Sequence, residues 1–227
     1  MDSVYIGDGG LAGKGVYAAR HLAEGEVVVS YRLRRLTRQE YRVLPATERL
    51  FVHSYGGERY LYPPPARYVN HSDTPNTYQD FDAQCDIALR PIEQDEFITT
   101  DATKETDREL STLLGAYETA VNSGDYRKLD VLIDDQAVLW VGGPKAKRHL
   151  IDGLKERAAA HAEGLPISIR DVRWFIGTGR WEAVASYNVE SQAEAGALAL
   201  FSRGHVTDVL KVLEGNWQII YRHLSHE

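Results

Sequence analysis

Apolar positions come in short alternating runs over the first hundred residues, then at helical and long-strand intervals over the rest. Val4-Tyr5-Ile6 predicts a short strand, and Gly7, Gly9, Gly10, Gly13 and Gly15 follow it within nine positions. Such a run lets the backbone take positive φ and approach a ligand with no Cβ in the way. No clear helix opens behind it, so a dinucleotide fingerprint is not indicated. Val27 to Tyr31 reads as a β-branched strand after the turn Glu24-Gly25-Glu26. Thr37 to Leu50 has helix-forming composition, weak periodicity and a break at Pro45, and Cys85 to Arg90 reads as another strand.

Beyond residue 104 the period changes. Thr106-Asp107-Arg108-Glu109 has capping-box spacing, and Leu110, Leu113, Leu114, Tyr117 and Val121 follow on one helical face until Ser123-Gly124-Asp125. A second, shorter helix is predicted over Tyr126 to Asp134, a strand over Ala137 to Val141, and a helix from about Ala146 to His161. Four long antiparallel strands close the chain, at Ile167 to Ile176, Trp181 to Ser191, Ala197 to Leu213 and Trp217 to Leu224. Glu214-Gly215-Asn216 makes a hairpin turn between the last two. A boundary near Thr103-Lys104-Glu105 gives domains of 1–104 and 105–227, in an α+β protein.

Composition narrows the function classes. The 227 residues have the apolar and charged fractions of a soluble globular protein. No run approaches the ~18 apolar residues of a membrane span, and the N-terminus lacks a signal-peptide pattern, so the expected compartment is the cytoplasm. Cys85 is the only cysteine, which excludes an internal disulfide and a cysteine zinc cluster within one chain. A net charge of −7 argues against nucleic-acid binding. Arg32, Arg34, Arg35, Arg38 and Arg42 form a local basic run that reads as a solvated face.

The densest polar chemistry lies at Arg67-Tyr68-Val69-Asn70-His71-Ser72-Asp73-Thr74-Pro75-Asn76. Read by itself, the segment is either an Asx-rich surface turn or a bend that holds a polar ligand. Its string Arg-Tyr-Val-Asn-His-Ser-x-x-Pro-Asn resembles the signature of SET-domain protein-lysine methyltransferases. Gly13-Lys14-Gly15-Val16-Tyr17-Ala18, the Gly25-Glu26 turn and the strand ending in Tyr31 resemble the first motif of that family. Arg90, Ile92, Glu96, Thr99 and Asp101 match its closing motif. The resemblance covers about residues 4–102. It implies a SET-like β-fold of short strands and S-adenosylmethionine as methyl donor. Gly13, Lys14, Gly15, Arg67, Asn70 and His71 would lie along the cofactor, and Tyr31 would line the channel for a lysine of a protein substrate.

One position departs from the family. Ala102 stands where its active-site tyrosine follows Asp101. Positioning or acid–base groups of that kind are worth on the order of 10²–10⁴-fold in rate. The alternative reading is therefore a catalytically weak or inactive SET-like binding module. Tyr31, Tyr68 and Tyr78 are the candidate substitutes.

The second half resembles the SnoaL-like, or nuclear-transport-factor-2-like, group. The matching phrases are Asn122-Ser123-Gly124-Asp125, Asp171-Val172 and Gly215-Asn216-Trp217 through Ser225. That resemblance implies a cone in which a curved antiparallel sheet wraps a long helix. It also implies pairing into a homodimer through the open face of the sheet, or a small-ligand pocket. Candidate pocket residues are Trp140, Tyr187, Arg203, His205, Tyr221 and His223. His223 and His226 lack a nearby third ligand, so a polar sheet face is expected there and no metal. Catalysis in the cone, with a regulatory first half, is the remaining reading.

Overall fold

The computed structural model describes residues 2–141, 147–150, 167–177, 181–191 and 204–225. Contacts divide the chain into two units, one of residues 1–53 and 59–108 and one of residues 54–58 and 109–227.

In chain order the first half contains β1 (Val4–Leu11), β2 (Lys14–Ala18), β3 (Val27–Ser30), β4 (Arg34–Leu36), α1 (Arg38–Val43) and α2 (Ala46–Arg49). It continues with β5 (Val52–Tyr55), β6 (Glu58–Leu61), a 3-10 turn at Ala66–Tyr68, β7 (Asn70–His71), β8 (Thr77–Asp80), β9 (Cys85–Ala88) and β10 (Phe97–Thr100). These strands form three small sheets, ordered β1-β2-β10-β7, β3-β9-β8 and β4-β6-β5. Val16, Leu22, Val29, Ile92 and Ile98 fill the core between them.

The glycine segment is not an open loop. It is the hairpin of β1 and β2, turned by Ala12 and Gly13, whose φ angles of 52° and 76° are those of a type I′ turn. Gly15 is needed for a different reason: a Cβ there would come within 2.3 Å of the Phe97 ring on β10. α1 begins at a capping box of Thr37 and Glu40, and Pro45 separates it from α2.

The second half contains α3 (Ala102–Ser123), α4 (Tyr126–Leu132), β11 (Ile133–Val141), β12 (Lys147–Leu150), β13 (Ile167–Ile176), β14 (Glu182–Ser191), β15 (Gly204–Leu213) and β16 (Asn216–Ser225). Among the described residues the sheet order is β12-β11-β16-β15-β14-β13. Register shifts interrupt β11, β13 and the β15–β16 pair, the irregularities that bend strands. Leu110, Leu113, Tyr117 and Val121 of α3 pack with Ala185, Tyr187, Leu210, Trp217 and Leu224 of the sheet. No helix among the described residues is long and apolar enough to cross a membrane.

Three sequence expectations need correction. α3 starts at Ala102, so Thr106-Asp107-Arg108-Glu109 lies inside it. Asp101 is the cap, accepting from the Thr103 backbone N–H at 3.0 Å and from its hydroxyl at 2.6 Å. Residues 147–150, expected in a helix, are strand β12 instead, paired to β11 with Val138 opposite Leu150. Pairing to a neighbouring strand overrides weak local preference here. The rest of that expected helix, like residues 197–203 of the expected strand, lies outside the described residues. The sheet is also not wholly antiparallel, because β11 runs parallel to β16.

Ala12 takes a left-handed conformation that a β-carbon disfavours. Replacing it with Asn, which tolerates that region, is expected to raise stability by roughly 0.5–1 kcal/mol in urea unfolding.

Candidate active site

The polar turn after β7 is held from both sides. The Asn70 amide donates to the carbonyls of Lys14 at 3.0 Å and Tyr68 at 2.8 Å, and its oxygen accepts from the Gly10 N–H at 3.0 Å. It thereby fastens the glycine hairpin to the turn. Asn76, 2% exposed, accepts from the Thr99 N–H at 2.8 Å and donates to the Phe97 carbonyl at 2.8 Å and to Glu96 Oε1 at 3.0 Å. β7 and β10 then pair in parallel, Thr99 opposite Asn70 and Thr100 opposite His71. Glu96 is also gripped by Arg90 at 2.6 Å. With Arg90 first among its partners, and Asn76 and the Glu93 N–H adding to it, the Glu96 carboxyl falls to about 2 from 4.5.

His71 Nδ1 accepts from the Ala102 N–H at 3.3 Å, which leaves the proton on Nε2, 3.2 Å from Asp73 Oδ1. Ala102 is the first residue of α3. The position of the family tyrosine is thus a helix start whose backbone, not side chain, meets His71.

The other candidate residues of the first unit gather near this corner. The Lys14 ammonium sits over the Tyr68 ring at 4.9 Å, and the Arg67 guanidinium lies 5.8 Å from the same ring. Arg67 pairs with Glu48, yet its buried Nε has no partner. Gly13 and Lys14 lie at the turn of the hairpin that Asn70 fastens. Two cations so placed suit an anionic group such as a carboxylate. Lys14 and Arg67 have capacity for such a group, whereas the Asn70 amide is already satisfied within the chain.

Tyr31 lies apart, buried beside Tyr62 with ring centroids 5.0 Å apart. Burial, and then the charge of Asp86, push its phenol well above the usual range. Tyr68 is buried and Tyr78 exposed. Asp86 and Gln79, which sequence reading did not single out, share the sheet β3-β9-β8 with the Tyr31 strand. The available signal was an acidic residue inside an otherwise apolar strand pattern.

In the second unit the sheet divides the pocket candidates. Tyr187 faces the interior, fully buried, and donates to Asp208 Oδ2 at 2.6 Å. Arg222 grips both Asp208 oxygens, at 2.7 and 2.6 Å, and its guanidinium bonds to the Tyr117 hydroxyl and lies 4.3 Å from that ring. Burial comes first among the causes that raise the Tyr187 and Tyr117 phenols. Asp208, Arg222 and Tyr117 were not foreseen. Trp140, Tyr221 and His223 occupy the opposite face, alternating with buried Leu139 and Leu224. His205 is exposed there and bonds to Ser186 and Asn188. Arg203 and His226 lie outside the described residues. The five described candidates therefore do not share one face of the sheet.

Comparison with known proteins agrees with this division. Residues 13–103 match the family model of the SET domain. No curated protein matches the chain. Similar solved structures include a Plasmodium falciparum protein provisionally named a histone methyltransferase, with 20% identity over 44% of this chain and 93% of that one, TM-score 0.36. An NTF2-like protein of unknown function from Shewanella baltica has 17% identity over 56% of this chain and 96% of its own, TM-score 0.42. An NTF2-like protein of unknown function in nutrient uptake from Rhodospirillum rubrum has 16% identity over 52% and 98%, TM-score 0.45. The expected α+β class is observed, with short-strand sheets in the first unit and a long helix packed on long strands in the second.

The lowered Glu96 carboxyl has a pH signature. It stabilises the fold above about pH 4.5, and that contribution is lost as pH falls through about 2. The protection of the Thr99 amide against hydrogen exchange, relative to an unstructured amide at the same pH, is expected to fall across that window, and Glu96→Gln to abolish the dependence.

Proposed function

We propose that the first unit binds S-adenosylmethionine and transfers its methyl group to the side-chain amine of a protein lysine. The match of residues 13–103 to the SET family is the observation behind this reading. When bound, the cofactor supplies an electrophilic methyl on a sulfonium. Lys14 and the free Nε of Arg67 offer positive charge to its carboxylate. Asn70 and His71 hold the glycine hairpin and the start of α3 in place. Tyr31, packed beside Tyr62, contributes an aromatic wall for the substrate nitrogen. Displacement at a methyl group depends on alignment more than on acid–base strength, so a rigid aromatic channel suits it.

Calorimetry tests the cofactor assignment. Micromolar uptake of S-adenosylmethionine is expected, weakened about tenfold or more when Lys14 and Arg67 are both replaced by Ala. No uptake at high micromolar concentration would overturn the reading. Ala102→Tyr, assayed for methyl transfer to a mixed lysate, separates the enzyme from the alternative binding module. An enzyme shows transfer before the substitution. A binding module shows it only afterwards, if at all. The module reading is favoured by one observation, the absence of a phenol at Ala102.

For the second unit we propose self-association through the outer sheet face. Phe175, Val184, Val209 and Tyr221 stand opposite one another in turn across β13, β14, β15 and β16, with Val138 of β11 next to Tyr221. Phe175 is 64% exposed. An apolar row of this kind across a sheet suits burial against a second copy. Sedimentation is expected to give a dimer that Phe175→Asp with Tyr221→Asp converts to monomer. A concentration-independent monomer in the parent removes the proposal.

A further inference from the structure

Four polar side chains on the outer sheet face of the second unit form one directed chain. Ser186 Oγ lies 2.9 Å from His205 Nε2, and His205 Nδ1 lies 3.0 Å from Asn188 Oδ1. Asn188 Nδ2 donates in turn to Asp171 Oδ2 at 2.9 Å. The far end fixes every proton. A carboxylate only accepts, so Asn188 offers Asp171 its amide nitrogen and turns its oxygen to His205. That oxygen only accepts as well, so the neutral imidazole carries its proton on Nδ1. Nε2 is then an acceptor, and the Ser186 hydroxyl donates to it. All three bonds run toward the charge of Asp171.

Strand register produces this geometry. Asn188 on β14 stands opposite His205 on β15, and Ser186 lies two residues before Asn188 on the same face, between inward-facing Ala185 and Tyr187. Asp171 belongs to the bulge that interrupts β13 between Arg170 and Arg173, and its φ of 56° is left-handed. A bulge re-aims a side chain that a regular strand would place elsewhere, and here it brings a carboxylate to Asn188. Arg173 stands directly opposite Ser186, while Trp174 after it packs on the core. Cross-strand neighbours have Cβ atoms about 4.5–5.5 Å apart, so the guanidinium is within reach of whatever the Ser186 oxygen attacks. Asp171, Arg173, Asn188 and His205 are exposed and Ser186 is half-buried, so the group is open to a solute. A hydroxyl, an imidazole, an amide and a carboxylate joined in that order are the parts of a nucleophile, its base and the groups that orient the base.

We infer that Ser186 and His205, held by Asn188 and Asp171, form an acyl-transfer site for small carboxylic esters, an activity independent of methyl transfer in the first unit. Ser186 Oγ bonds to the ester carbonyl carbon as its proton passes to His205 Nε2, and the carbonyl π pair moves onto oxygen beside Arg173. That pair returns, the bond to the alcohol oxygen breaks, and the alcohol leaves with the proton from His205. Water then attacks the acyl-serine. Its proton goes to His205, its oxygen bonds to the carbonyl carbon, and Ser186 departs with the proton. The sum is ester plus water to acid plus alcohol, with no other reactant. Ser186 and His205 are the catalytic residues. Asn188 and Asp171 are positioning residues, which hold the imidazole tautomer and face its positive charge once it is protonated. The relay borders the row of Phe175, Val184, Val209 and Tyr221, since Ser186 and Asn188 stand two and four residues past Val184, roughly 7 and 14 Å along the strand.

The test uses the full chain, with p-nitrophenyl acetate as substrate and an alkyl fluorophosphonate as trap for an activated serine. The trapped peptide is identified by mass. Label on Ser186 is expected, with a burst of p-nitrophenol before the steady rate. Ser186→Ala is expected to abolish both, and His205→Gln to slow both by about a hundredfold or more. Asn188→Leu is expected to lower kcat with KM little changed. The paired exchange Asn188→Asp with Asp171→Asn, which keeps an acceptor for the His205 Nδ1–H, is expected to recover most of that loss. A merely structural role for Asn188 would give no such recovery, and that result overturns its assignment. No label on Ser186, label only at other residues, or hydrolysis that survives Ser186→Ala overturns the proposal. Where a variant fails to fold, as its urea midpoint shows, labelling of the parent still decides, because it needs no substitution.

Discussion

The first unit depends on one buried amide. Asn76 does across a gap what a longer ladder would do along a strand, since β7 and β10 share only two residue pairs. Its oxygen takes the Thr99 N–H and its nitrogen feeds the Phe97 carbonyl and Glu96. An apolar residue of similar size would leave those backbone groups unpaired in the interior, each at a cost of about 1–3 kcal/mol. Glu96 and Arg90 extend the same connection toward solvent. The position of His71 against the start of α3, and hence of the whole corner, follows from that fastening.

The second unit places its strongest electrostatic contact in the core. Asp208 and Arg222 face each other on adjacent strands, and two tyrosines satisfy what remains of their hydrogen-bonding capacity. A buried pair of this sort adds little net stability over well-packed apolar side chains, because desolvation offsets the attraction. Its geometric effect is larger. Arg222 reaches Tyr117 on α3 as well as Tyr187 on β14, so one side chain ties the long helix to three strands.

The fold was legible in the sequence wherever a period or motif persisted. Leu110, Leu113, Tyr117 and Val121 announce the helix, and the alternation along β13 to β16 announces the sheet. Boundaries were less legible. Thr106-x-x-Glu109 and Thr37-x-x-Glu40 have the same spacing, yet only the second caps a helix, because Asp101 had already started the helix that contains the first. The Arg67 to Asn76 turn was recognised by its residue types, but its use was not. Asn70 and Asn76 spend their amides on the chain's own backbone, a fact of tertiary register. Tyr187 was foreseen as a pocket residue, whereas Asp208 and Arg222 were hidden by the same strand alternation that places them inside.

The cross-strand pairing of Gln79 with Asp86 has one further consequence. Groups facing each other across a ladder keep a separation set by backbone hydrogen bonds, so their spacing is as stiff as the sheet itself. The Gln79 and Asp86 side chains can therefore part only where that ladder itself breaks, and local loosening of a loop leaves their distance unchanged.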